Sequence, residues 1–150
     1  MQRGIAVHDS YGSYVANVVE ASVGPDRLLT IHRVVLAIDC GVVINPDLVV
    51  AQMESSIVFG LSSALFGEIT LRKGVVDQGN FDDYPLVRMY QTPKIEVVLV
   101  DSDEAPGGAG EPGVACVAPA LATAIFHATG ERLRTMPPLV FAGECDALTD

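Results

Sequence analysis

Over the first forty residues the apolar positions alternate or run in short β-branched blocks, and they then switch to a spacing of four. Ile5–His8, Tyr14–Val23 and Leu28–Asp39 read as strands, the second carrying Val15, Val18, Val19 and Val23. Gly24-Pro25-Asp26 marks a turn between the last two. Val49, Met53, Ile57, Leu61 and Leu65 then recur every fourth residue and predict a helix from Asp47 to Phe66, ending near Gly67. Asn45 suits its cap, Pro46 its first position, where a missing N–H costs nothing, and Asp47 the positive end of its dipole. Glu68–Lys73 reads as a strand, Gly74–Leu86 as a loop, and Lys94–Asp101 as an apolar strand. A loop over Ser102–Gly113 leads to a second helix with Pro119 in its first turn and Gly130 just past its end. Its apolar face is Leu121, Ala122, Ile125 and Phe126, and Arg132–Pro138 reads as extended. Residues 1–138 thus form an α+β unit, a mixed sheet with two main helices rather than a doubly wound fold, and residues 139–150 read as an acidic tail.

Composition narrows the function classes. The 150 residues carry a net charge of −10 with 49% hydrophobic residues, and mean hydropathy is +0.37. That hydrophobicity excludes intrinsic disorder. The acidic balance excludes nucleic acid, which needs a basic face, and disfavours an anionic membrane surface. Gly113–Gly130 is the longest uncharged stretch, and with Pro119 and His127 inside it falls short of a membrane span. The short apolar run after Arg3 is broken at once by His8 and Asp9, which does not read as a signal peptide. Cys40, Cys116 and Cys145 form no CxxC and no disulfide framework, and too few thiols are present for an iron–sulfur cluster. His8, His32 and His127 stand too far apart to suggest a metal site, so no metal ligand is assigned to the protein.

The chemistry concentrates in Pro106-Gly-Gly-Ala-Gly-Glu-Pro-Gly113. Gly108, Gly110 and Gly113 satisfy GxGxxG, but Pro112 removes a backbone donor where a pyrophosphate would want one, and no acidic residue follows at a second strand end. A solvated glycine connector is one alternative. The other makes Glu111 a carboxylate held by Pro112 against the core edge, where partial desolvation would suit a general base. Elsewhere the plainer readings prevail. Asn45 is a helix cap, Asp39 a turn residue, Glu54 a helix residue with a structural hydrogen bond, and Asp82-Asp83, Asp101, Asp103 and Glu104 lie in solvated loops. His8, His32 and His127 are ordinary polar or packed residues.

Gly110-Glu111-Pro112 before an apolar helix resembles the catalytic loop of the xanthine dehydrogenase/aldehyde oxidase family of molybdenum hydroxylases. Asp39-Cys-Gly-Val-Val-Ile-Asn45-Pro46, then Gln52-Met-Glu54, Gly60-Leu61 and Leu65, look like that family's DxGxxxNPxxxxxQxEGxxxxGL pattern. Gln78 to Pro85, then Met89 and Pro93, resemble the branch of isoquinoline 1-oxidoreductase β-subunits and related bacterial aldehyde dehydrogenases. Ala128 to Arg134, through Pro137, is similar to that branch's C-terminal close.

The resemblance implies the C-terminal part of a molybdopterin-binding domain in a larger subunit. It implies a molybdopterin cofactor, expected in its cytosine dinucleotide form, with no protein ligand to the molybdenum. It also implies [2Fe–2S] clusters on a partner small subunit, and the hydroxylation of an N-heterocycle or oxidation of an aldehyde with water-derived oxygen. Glu111 stands where the family's general base stands, Gln52 at a glutamine that looks like a pterin contact, and Gly110 beside the base. Bacterial cytoplasm and periplasm both remain open. Two departures stand out. Ser55-Ser56 replaces the Gly-Gly or Gly-Ala usual after QxE, and the family's subunit is several times longer than 150 residues. The chain is therefore expected to be inactive by itself. The alternative is a non-catalytic fragment, or a piece of a split subunit, that only packs on a partner chain.

Overall fold

The β-branched blocks at the start of the chain form three consecutive antiparallel strands, β1 (Gln2–Ser10), β2 (Ser13–Val23) and β3 (Leu29–Asp39). In the computed structural model, which describes residues 1–138, β1 and β2 are joined by Tyr11 and Gly12, both at positive φ (55° and 72°). Two successive left-handed residues match the twist of the strands they connect. Helix α1 (Pro46–Phe66) follows, then a small hairpin of β4 (Leu71–Arg72) and β5 (Val75–Val76). After a single 3₁₀ turn at Met89–Gln91, β6 (Lys94–Leu99) adds to β3 in parallel, and α2 (Pro112–Thr129) closes the described chain. The sheet order β1-β2-β3-β6 holds two antiparallel pairings and one parallel, so the expected α+β mixed sheet with two main helices is what forms.

Strand alternation sends one set of side chains under the helices. Val15, Val19, Val34, Leu36 and Ile38 are buried there against Met53, Ile57 and Leu61 of α1 and Val117, Leu121 and Ile125 of α2. Both helices are long and apolar enough to cross a membrane by length and composition, but each has its inner face packed in this core.

Several expectations shift. Pro119 is not in the first turn of α2 but inside the helix, which starts seven residues earlier at Pro112. Pro112 takes the first position, where no N–H is needed. Pro119 is exposed and forfeits one internal bond, a loss that burial on both sides of it outweighs. The strand expected over Glu68–Lys73 shrinks to two residues because Lys73 and Gly74, at φ 52° and 83°, turn the chain straight back. The acidic tail at 139–150 lies outside the described residues.

The packing is close enough to touch backbone. A Cβ on Gly4 of β1 would overlap the Ala120 carbonyl oxygen and the Ala124 nitrogen of α2. A Cβ on Gly60 of α1 would lie 2.7 Å from Val117 Cγ2 of α2. The opposite face of the sheet carries an ion-pair row across all four strands. Arg3 Nε donates to Glu20 Oε1 (2.8 Å), Arg33 lies 3.9 Å from Glu20 Oε2 and also pairs with Glu96, and Lys94 Nζ donates to Glu96 Oε1 (2.8 Å). The Arg33 and Lys94 hydrogen bonds hold the Glu96 carboxyl down at about 2.

Two measurements test this description. Gly4→Val should cost about 2–3 kcal/mol, because the strand must move off α2. An unchanged urea midpoint would mean that α2 is not seated there. Glu96 has a depressed pKa, so the stability it contributes is present above its ordinary value of 4.5 and is lost as pH falls toward about 2. Acid unfolding of Glu96→Gln should therefore be flatter than that of the parent between those two pH values, and superimposable curves would count against the pair.

Candidate active site

The site is built by a clasp between the β1–β2 turn and the glycine loop ahead of α2. Gly108 N–H donates to the Tyr11 carbonyl (2.8 Å), and Ser13 Oγ donates to the Gly108 carbonyl (2.7 Å). Gly107 N–H donates to the Cys40 carbonyl (2.9 Å), and Asn17 Nδ2 to the Gly113 carbonyl (3.1 Å). Ser13 and Asn17 are both fully buried. The glycines are needed at this approach. A Cβ on Gly107 would overlap the Gly12 carbonyl oxygen, and one on Gly108 would lie 2.7 Å from Tyr11 Cβ. Gly108 and Gly113 of the GxGxxG pattern are thus packing residues, the latter against Leu36 and Ser56.

Beyond the clasp opens a cavity of about 510 Å³. β1 and the turn contribute His8, Ser10 and Tyr11 to its wall. α1 contributes Ser55, Ser56 and Phe59. The loop and first turn of α2 contribute Gly110, Glu111, Val114 and Ala115. Glu111 is the N-cap residue of α2, yet its side chain makes no cap bond. Its Oε2 instead accepts a long hydrogen bond from Tyr11 Oη (3.5 Å). The side chain is exposed, so the desolvation expected of a carboxylate at the core edge is not supplied within the described residues. Gly110 has no atom within 4 Å of where a Cβ would stand, which leaves free space on the cavity side of the loop. Ser10 Oγ is buried in the wall with no hydrogen-bond partner among the described residues.

Glu111 and Gly110 therefore share one cavity. Gln52 does not line it: it lies exposed on α1, one turn before Ser55. Tyr11, Ser10 and Phe59 were not foreseen as cavity residues, and His8 was read only as an ordinary polar residue. The Tyr-Gly pair between two strands was the available turn signal for the first of these. Ser55-Ser56, noted as a departure from a family pattern, lines the wall, with Ser56 buried and its Oγ donating to the Met53 carbonyl (2.8 Å). Among the other candidates, Asn45 Oδ1 accepts from Leu48 N–H (3.2 Å) as the α1 cap, and Asp39 Oδ1 accepts from Gly41 N–H (3.1 Å) in a turn. Asp83 holds its loop by accepting from the Gly79 and Asn80 N–H groups, which lower its pKa. Glu54 is exposed. His32 bonds Ser22, and His127 bonds the Arg3 carbonyl. Burial pushes the Cys40 and Cys116 thiols up, as befits unreactive packing residues. Among the described residues no cluster of three or more His, Cys, Asp or Glu could hold a metal.

The profile of the molybdopterin cofactor-binding domain matches residues 3–93. The chain belongs to this family. It is 41% identical over 138 residues to isoquinoline 1-oxidoreductase subunit beta of Brevundimonas diminuta, covering 91% of this chain and 18% of that protein. It is 38% identical over 120 residues to a membrane-bound aldehyde dehydrogenase of Gluconacetobacter polyoxogenes, covering 78% of this chain and 16% of that protein. The CO dehydrogenase of Oligotropha carboxidovorans shares the fold, with a TM-score of 0.74 at 21% identity over 83% of this chain and 17% of that one. The family resemblance of the ordered motifs is thereby borne out. The chain spans less than a fifth of the length of these relatives.

The clasp is testable in the chain itself. Ser13→Ala removes the hydroxyl that holds the Gly108 carbonyl and should cost about 1 kcal/mol locally. That corresponds to roughly fivefold faster amide hydrogen exchange at Gly107 and Gly108, whose N–H groups are hydrogen-bonded in the clasp. Unchanged protection there would show that the loop is held by other means.

Proposed function

We propose that the chain is a part, toward the C-terminus, of a molybdopterin-dependent oxidoreductase of the molybdenum hydroxylase family, with Glu111 as general base. The observation that carries this reading is the joint placement of Glu111 and Gly110 in one cavity, on a loop locked to a strand turn. The residues present fit one side of such a cofactor. Ser10 Oγ is a buried hydroxyl with no partner among the described residues, and the space beside Gly110 admits a close approach. When bound, molybdopterin with its molybdenum supplies two-electron redox chemistry and oxygen transfer. Its expected form is the cytosine dinucleotide. Ser10 and Gly110 would border the group from this chain, and Gln52 would reach it only on a part lying outside this cavity.

In the overall reaction a substrate C–H and water become C–OH, two protons and two electrons. Glu111 accepts one of those protons at a carboxylate oxygen, and Tyr11 Oη keeps the carboxylate turned along the wall by donating to Oε2. The expected electron acceptors would be [2Fe–2S] clusters on a partner small subunit. The names of the relatives support an aldehyde or an N-heterocycle as the substrate class. The wall between Tyr11 and Phe59 is compatible with a flat one. Ser10, Gly110 and Gln52 are too few to enclose the cofactor, so turnover requires the rest of the subunit.

The test is Glu111→Gln in an assembled enzyme containing this chain. The amide keeps the size of the side chain but cannot accept the proton. Molybdenum reduction by substrate under anaerobic conditions should slow about 10²–10⁴-fold, with molybdenum content retained. A fully loaded variant within about threefold of the parent would end the assignment and favour the second reading, a piece that only packs on its partner.

A further inference from the structure

We infer that the helix-free face of the sheet is the surface on which the remainder of the molybdopterin-binding subunit is seated. This rests on the reading above that the chain works only within a larger subunit. The helices cover one side of β1-β2-β3-β6, and the residues that alternate with the core point to the other. A solvated face of such a sheet reads polar. Here the two middle rows are apolar across β1, β2 and β3; on β6 one continues to Val98 and the other ends at Glu96. Ile5 (61% exposed) lies beside Val18 and Val35, and Val7 (73% exposed) lies in register with Ala16, Ala37 and Val98 (50% exposed).

Charged rows border this band at both ends. On one side stand Arg3, Glu20, Arg33 and Lys94 in register, paired with one another or with Glu96 at the β6 edge of the band, and on the other stand Asp9 and Asp39 in register with Tyr14. An apolar centre inside a polar rim is the anatomy of an interface. The floor is low where Ala16 and Ala37 face each other, so an apolar element can approach the backbone closely.

A second copy of the chain is the poorer occupant, because each copy brings a charge of −10 and would repel the other. The better occupant is the more than four-fifths of the relatives' length that this chain does not match.

The experiment mixes the chain with the Brevundimonas diminuta subunit produced without its matched segment, and reads complex formation by light scattering and titration. Ala37→Trp fills the floor of the band while remaining apolar. Val7→Glu puts a charge into the apolar band itself at a site too exposed to affect folding. The wild-type chain should form a one-to-one complex, and each variant should bind at least tenfold more weakly with its circular dichroism unchanged. A wild-type complex that neither variant weakens would overturn this surface while leaving the larger assembly standing. No wild-type complex at all would remove both. A homodimer abolished by Val7→Glu would give the face to a second copy and equally overturn the proposal.

Discussion

Everything in this molecule hangs on how deeply α2 is seated. Gly4 lets a strand backbone meet the helix backbone at Ala120 and Ala124, and Gly113 brings the start of the helix down onto Leu36 and Ser56. Gly60 does the same for α1 where it crosses α2 at Val117. Each contact removes a side chain's thickness from a layer that would otherwise stand about 10 Å off the sheet. The gain is dispersion over a large, well-matched area, and it makes the core intolerant of added volume. It also fixes the height and direction at which the first turn of α2 leaves the sheet, and therefore where Glu111 stands.

That geometry would leave the connecting loop with buried backbone groups if nothing met them. The β1–β2 turn meets them. The Tyr11 carbonyl and the Ser13 hydroxyl satisfy the N–H and carbonyl of Gly108, and from within β2 the fully buried Asn17 donates its amide to the Gly113 carbonyl in the first turn of α2. The left-handed Tyr11 is part of the same device. An aromatic residue at φ 55° is costly, and the turn is held there by the strands on either side and by the glycine loop docked on it. One consequence is that a strand turn a hundred positions away in sequence carries the Oη that donates to the Glu111 carboxylate.

Much of this was legible in the residues. The β-branched blocks, the fourfold apolar spacing of α1 and the Asn45-Pro46 cap correspond to elements with local causes, and they stand where expected. Glu111 and Gly110 fell to the same cavity because one rigid loop carries both. What could not be read was set by long-range contact. Pro119 looked like a helix start because local chemistry favours proline there, whereas the packing of α2 on two sides overrides that preference. His8, Tyr11 and Phe59 reach the cavity through strand register and helix crossing, which no spacing along the chain encodes. Gln52 shares a helix face with Ser55 but stands one turn, about 4.5 Å along the axis, before it, and so lies beyond the cavity wall.

The exposed Glu111 and the apolar outer sheet face are two expressions of one condition. Packing density ends at the layer of helices and strands that the described residues supply, so the Glu111 carboxylate stands exposed to water. The sheet face stands in water too, at a hydrophobic cost proportional to its apolar area. Covering the cavity side would dry the carboxylate and strengthen every polar contact it makes, including the long one from Tyr11. Covering the sheet side would lock β1, the strand whose turn holds the loop. The two surfaces are thus mechanically linked through β1 and the clasp. Assembly on one face would stiffen the other, and the carboxylate proposed as the base would be dried only when the fold around it is complete.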